Sequence, residues 1–240
     1  MFAIETKNLT KKFKERIAVN EIDLKINQGE LFALLGTNGA GKTTTIKMLS
    51  TLILPTEGEI KINGLDIIKD RQKIKEILNV SPQETAIAPN LSVKENLEFM
   101  AGVYQISNKQ EKINELIKMF KLDEVLNQKA KTLSGGWQRK VSIAISLINE
   151  PQILFLDEPT LGLDVIARKE LWAVIEKLKG KITIILTTHY MEEAESLSDR
   201  IGIMAKGKLI DIGTSKELIE KTGAKNFEDA FVKIATGGEL

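Results

Sequence analysis

The chain has 240 residues, 42% hydrophobic and 28% charged, the balance of an ordinary globular protein long enough to bury a substantial core. Its 34 basic and 33 acidic side chains leave a net charge of +1, which gives no electrostatic footprint for nucleic acid or an anionic membrane surface. The absence of cysteine excludes disulfides, thiolate metal sites and cysteine nucleophiles, and a single histidine, His189, excludes a polyhistidine metal site.

In chain order, Met1 to Lys12 carries Glu5, Lys7, Lys11 and Lys12 with no apolar core segment, so no signal peptide is expected there. Residues 2–35 alternate apolar and polar in short pieces such as Ile22-Asp23-Leu24-Lys25-Ile26, a period-two pattern that predicts antiparallel strands. Within them, Leu31-Phe32-Ala33-Leu34-Leu35 is continuously apolar up to Gly36, as expected of a strand buried on both faces. A helix is predicted over 43–52. Residues 92–121 read as helical: Ser92-Val93-Lys94-Glu95 forms a capping box, and Leu97, Met100 and Tyr104 follow at helical spacing. Ile113, Leu116, Ile117 and Phe120 make a second stripe. From 137 onward helices (137–148, 165–178) alternate with apolar strands (152–156, 182–188), then short strands near 201–212. Alternation of this kind predicts a parallel sheet with helices on both faces, an α/β core carrying an antiparallel β lobe and an inserted helical lobe. The longest uncharged apolar run, Val141 to Asn149, is too short to span a bilayer.

Three segments carry chemistry. Gly36-Thr37-Asn38-Gly39-Ala40-Gly41-Lys42-Thr43 fits the phosphate-loop pattern G-x-x-x-x-G-K-[ST] between a buried strand and a helix, which is the context the pattern requires. The glycines let backbone N–H groups curl around β- and γ-phosphates, with the positive helix end behind them. Lys42 supplies a point charge, and the Thr43 hydroxyl suits Mg²⁺. Ile153-Leu154-Phe155-Leu156 is a second buried strand ending in Asp157-Glu158. Ligands collect at the carboxyl ends of such strands, so these acids are expected to face the phosphate loop. Neighbouring strand residues point opposite ways, so Asp157 is assigned to the metal and Glu158 to activation of an attacking water. The competing reading is a solvated turn before Pro159. Finally, Leu133-Ser134-Gly135-Gly136 opens a helix. Ser134 is a good N-cap, but two adjacent glycines are expected only where the backbone must approach something, and an anion is the natural candidate. Two anion-binding helix ends in one chain are explained if each serves a nucleotide held by a different copy.

The order of phosphate loop, Gln83, Leu-Ser-Gly-Gly, Ile-Leu-Phe-Leu-Asp-Glu-Pro, Gly-Leu-Asp and Thr-Thr-His resembles the nucleotide-binding domain of ABC transporters, from about residue 4 to 215. The resemblance implies a P-loop NTPase core that binds and hydrolyses ATP with Mg²⁺. It places Phe13 and Ala18 at the adenine, and Asn38, Gly39, Ala40, Gly41, Lys42, Thr43 and Thr44 around the phosphates. Gln83 would sense the metal and γ-phosphate, and segment 84–100 would line the groove for a membrane subunit. It places Ser134, Gly135 and Gly136 on the opposing copy's γ-phosphate, Asp164 at the dimer seam, and His189 with Glu158 and Gln83 in catalysis. Thr43, Gln83 and Asp157 would serve the metal. Phe13 could equally be a core aromatic, Asp164 is also an N-cap for helix 165–178, and Trp137 stands where the family more often has glutamine or methionine.

The expected organisation is an ATP-binding domain over 1–215, with the helical lobe at about 90–135, and a short C-terminal extension over 216–240. The expected partners are a second ATPase copy, or a homologous ATPase subunit, together with integral membrane permease subunits, and no nucleic acid. The expected location is cytoplasmic, on the inner face of the membrane through the permease. The run Thr187 to Glu195 and the tail Phe227-Glu228-Asp229-Ala230-Phe231 resemble subunits for drug or sodium export. An importer subunit, a non-transport ATPase of the superfamily, and a domain that binds ATP without hydrolysing it are the rival readings.

Overall fold

The computed structural model describes residues 1–237. Two sheets form the core. The first is antiparallel, built from β1 (Phe2–Phe13), β2 (Arg16–Asn27), β4 (Glu57–Ile62) and β5 (Leu65–Asp66) in the order β2-β1-β4-β5. The second comprises β3 (Leu31–Gly36), β6 (Leu78–Ser81), β7 (Ile153–Asp157), β8 (Thr183–Thr188), β9 (Arg200–Ala205) and β10 (Lys208–Gly213), ordered β10-β9-β3-β8-β7-β6. Within it β9, β3, β8, β7 and β6 run parallel, and only β10 is antiparallel, paired to β9. The sequence pattern places residues 2–35 in antiparallel strands throughout. In the structure β3 leaves that lobe to run between β8 and β9, because a strand apolar on both faces needs cover on both.

Burial along β3 shows how the two layers join. Leu31, Ala33 and Leu35 enter one hydrophobic core, whereas Phe32 and Leu34 enter the other. β7 divides likewise, Leu154 and Leu156 going one way and Ile153 and Phe155 the other. The two-residue pleat thus makes one sheet the wall between two cores. The antiparallel lobe and α1 (Lys42–Leu49) fill one side, and the remaining long helices fill the other.

α2 (Arg71–Ile77) precedes β6. The helical lobe follows with α3 (Val93–Val103) and α4 (Lys109–Phe120). The Ser92 hydroxyl accepts from the Glu95 N–H at 3.2 Å and a Glu95 carboxylate oxygen accepts from the Ser92 N–H at 2.7 Å, the expected capping box. The continuous helical stretch expected over 92–121 is broken. Gln105 adopts φ 53°, Tyr104 ends α3, and Ile106 turns back to pack on the core. The second stripe is buried as expected, with Ile113, Leu116, Ile117 and Phe120 all in the core.

α5 (Gly135–Ser146) starts two residues earlier than its apolar pattern indicates. α6 (Val165–Leu178) has the predicted bounds and buries Leu171, Val174, Ile175 and Leu178. α7 (Met191–Leu197), α8 (Ser215–Thr222) and α9 (Phe227–Thr236) complete the chain, and Leu218 and Phe227 enter the same core as the helical lobe. The last three residues of the expected C-terminal extension lie outside the described residues. Among the described residues no helix is long and apolar enough to cross a membrane.

Candidate active site

The parallel register fixes where the polar strand ends meet. Leu35 pairs with Thr188, and Asp157 with Thr187, so β3, β7 and β8 end at one level beside the start of α1. A cleft of about 650 Å³ opens there. It is lined by the loop and helix start from Asn38 through Thr44, by Gln83, Glu158, Leu161 and His189, and by Phe13, Arg16 and Ala18 of the antiparallel lobe.

The loop conformation depends on Gly41. It sits at φ 105° at the N-cap of α1, and a Cβ there would lie 2.6 Å from the Ala18 carbonyl oxygen. Only glycine combines that dihedral with that approach. With no side-chain cap, the first backbone N–H groups of α1 keep the positive end of the helix open toward the cleft. Gly39, at φ 80°, has no backbone neighbour within 4 Å of its missing Cβ, and only the Arg16 guanidinium comes that near.

Lys42 is 5% exposed, and its ammonium donates to the carbonyls of Gly36 at 2.7 Å and Thr37 at 3.3 Å. It also stands 3.4 Å from Glu158 Oε1. Asp157 is buried, and one of its oxygens accepts from the Thr43 hydroxyl at 3.1 Å and the Thr187 hydroxyl at 2.5 Å. Glu158 Oε2 lies 2.9 Å from His189 Nδ1. The two adjacent acids therefore face different partners, but not through the strand pleat. β7 ends at Asp157, and Glu158 turns into the left-handed region at φ 47°. Its N–H donates to the Thr187 carbonyl at 3.1 Å and hydroxyl at 3.0 Å, which hold it in that uncommon conformation.

Phe13 is 48% exposed at the cleft mouth, with Lys11 Nζ 5.2 Å from its ring centroid, so it is not a core aromatic. Ser134, Gly135, Gly136 and Asp164 do not line this cleft. Ser134 occupies the N-cap position of α5, but its hydroxyl makes no capping bond, so the capping expected of it is not realised. Gly135 has nothing within 4 Å of a would-be Cβ, whereas a Cβ on Gly136 would meet that of Ala167 at 3.2 Å. The close α5–α6 approach is thus a reason for Gly136 that the pattern did not reveal, while Gly135 fronts open space. Asp164 caps α6 as expected, accepting from the N–H groups of Ile166 and Ala167, both at 2.9 Å.

Sequence reasoning passed over several polar residues at this site. Thr187 ties Asp157 to Glu158, and Arg16 completes the cleft wall. Arg139 lies buried behind Glu158. Glu193 is buried below the end of β8, and its pKa is pushed up by desolvation, against the bond that Trp172 Nε1 donates to its carboxylate at 3.0 Å. α5 carries no usable signal for Arg139: that residue, Ser142 and Ser146 fall at i, i+3 and i+7, the polar stripe of an ordinary surface helix, yet all three are buried.

Comparison with known proteins decides the family. A family model for the ABC transporter matches residues 19–161. The linearmycin resistance ATP-binding protein LnrL of Bacillus subtilis is 36% identical over 98% of this chain and 75% of its own length. The chain belongs to the ABC transporter family. Other relatives are longer: the chain is 42% identical to the human phospholipid-transporting ATPase ABCA3 but spans 13% of it. It is 40% identical to the probable multidrug ABC transporter ATP-binding protein YbhF of Escherichia coli and spans 38% of it. Among solved structures, an ATP-binding subunit of an ABC transporter superposes with TM-score 0.87 at 28% identity, covering 97% of this chain and 99% of that one. The dimeric ATP-binding cassette MJ0796, bound to ADP and Pi, superposes with TM-score 0.79 at 28% identity, covering 88% and 98% of the two chains. This ABC chain is thus a P-loop α/β fold, as the sequence pattern predicts.

Proposed function

We propose that the chain is the ATP-hydrolysing subunit of an ABC exporter, closing as a dimer on ATP and driving separate membrane subunits. The observation that carries this reading is the convergence of Lys42, Asp157, Glu158 and His189 on one cleft over an uncapped helix start. In that cleft the α1 N–H groups and Lys42 hold the β- and γ-phosphates, and Phe13 offers a π face to the adenine. The oxygen donors Thr43, Asp157 and Gln83 suit a hard divalent cation, and Mg²⁺ held there would neutralise charge on the phosphate oxygens. Phosphates compete with Glu158 for Lys42. Loading then leaves the Glu158 carboxylate, positioned by His189, to orient water and accept its proton.

Ser134, Gly135 and Gly136 lie outside this cleft, with an unengaged hydroxyl and an open glycine, which supports their serving a second copy's nucleotide. The ABC domain is assigned to 1–215, with α8 and α9 as a short extension packed on it. Export is favoured because LnrL is named for antibiotic resistance and YbhF for multidrug transport. Association with membrane permease subunits places the chain at the cytoplasmic face.

Hydrolysis by Glu158→Gln tests the proposal. The amide keeps the shape and loses the basicity, so kcat is expected to fall about 10²- to 10⁴-fold while ATP still binds. Wild-type turnover by that variant would remove Glu158 from the mechanism, and absence of ATP turnover by the wild-type chain with its partners would overturn the hydrolytic reading.

A further inference from the structure

α5 reaches the site through one side chain. Arg139, 4% exposed, donates to the carbonyl of Pro82 at 2.6 Å, that of Gln83 at 2.5 Å and that of Glu158 at 3.5 Å. Pro82 and Gln83 follow β6 directly, and Glu158 follows β7, so a single guanidinium spans the carboxyl ends of two neighbouring strands. A second contact, Ser142 Oγ to Ser81 Oγ at 3.3 Å, runs alongside it.

Stability alone does not account for this arrangement. Among the described residues no carboxylate lies within ion-pair distance of Arg139, so a buried cation rests on neutral carbonyls, which is costly. Burial pushes its pKa below the ordinary arginine value, against the pull of Asp157 and Glu193. An apolar side chain could fill the volume; only a planar fork of donors bridges separate carbonyls in a fixed geometry.

We propose that Arg139 is a positioning residue, a strut that fixes the Gln83 segment and Glu158 to the helix whose first residues are Ser134-Gly135-Gly136. The strut holds the water-activating carboxylate and the Gln83 segment in register with each other and with the start of α5. Contact between that helix start and a second copy is thereby transmitted to the chemistry. This rests on the ATPase reading above.

The test compares Arg139→Met and Arg139→Lys with Leu116→Ala, a core deletion in α4 that lowers stability without touching either strand end. Arg139→Met should lower kcat about 10- to 100-fold, the range expected for misplaced catalytic groups. Its ATP dissociation constant should stay within roughly twofold, a loss confined to the chemical step. Arg139→Lys, with a point charge able to meet one carbonyl, should recover part of kcat. Leu116→Ala should keep its kcat below its own melting temperature. Should Arg139→Met not fold, Arg139→Lys decides the matter through its intermediate kcat. Wild-type kcat in Arg139→Lys, or ATP affinity falling as far as kcat, would overturn the strut. Glu158→Gln in the same assay separates the two levels: if it is inactive while the arginine variants run at the wild-type rate, only the strut fails.

Discussion

The two helix starts that the sequence marks for anions are built in opposite ways. At α1, the three charged groups closest to the phosphates' expected place already have partners in the same chain: Lys42 on loop carbonyls and Glu158, Asp157 on two threonines, Glu158 on His189. At α5, Ser134 caps nothing and Gly135 borders open space. One region is a finished pocket, and the other is a surface prepared for something outside the chain. Identical physics, bare N–H groups on a helix dipole, gives a site in one place and half a site in the other. The difference lies in what surrounds each: three parallel strand ends converge on α1, whereas α5 emerges at the edge of the helical lobe.

The largest effect should come from the finished pocket. Lys42→Ala removes the one cation buried among the loop carbonyls, and tight ATP binding or turnover should be abolished, as read by nucleotide titration and phosphate release. Wild-type turnover would show that the pocket is not the site. Next, the comparison can be broken by mixing. Lys42→Ala spoils only the α1 start and Ser134→Arg only the α5 start, so a heterodimer keeps one intact composite site. Each variant alone should be inactive and the mixture active; a mixture that associates but stays inactive contradicts the shared site.

The smallest effect concerns stability. Because Gly135 has room for a Cβ and no positive φ, Gly135→Ala should leave the melting temperature unchanged or raise it by less than about 1 kcal/mol of stability. The same methyl should weaken ATP-dependent association, measured by sedimentation. A clear loss of stability instead would assign that glycine to the fold rather than to a partner.

The parts of this molecule that were legible in the sequence are those set by local rules. The Ser92 capping box, the Asp164 cap, the phosphate loop and the doubly buried β3 each follow from a few adjacent residues. What escaped depends on distant contacts. Residues 57–81 gave no assigned element, yet β4 is stitched to β1, and β6 to β7, by partners far away in sequence. The break at Gln105 follows from Ile106 seeking the core, which periodicity alone does not show. In the site, Asp157 and Glu158 were found as strand-end acids, but the left-handed turn that separates their roles depends on Thr187 of the next strand. Arg139 was invisible because its acceptors are backbone carbonyls, which leave no mark in the sequence.

The central claim, one nucleotide closed between two unlike helix starts, is tested most directly by sizing Glu158→Gln with and without nucleotide. Because hydrolysis would normally reopen the dimer, the variant should run as a dimer in Mg·ATP and as a monomer in Mg·ADP, while the wild-type chain runs mainly as a monomer in both. A Glu158→Gln chain that binds ATP and remains monomeric would contradict the account.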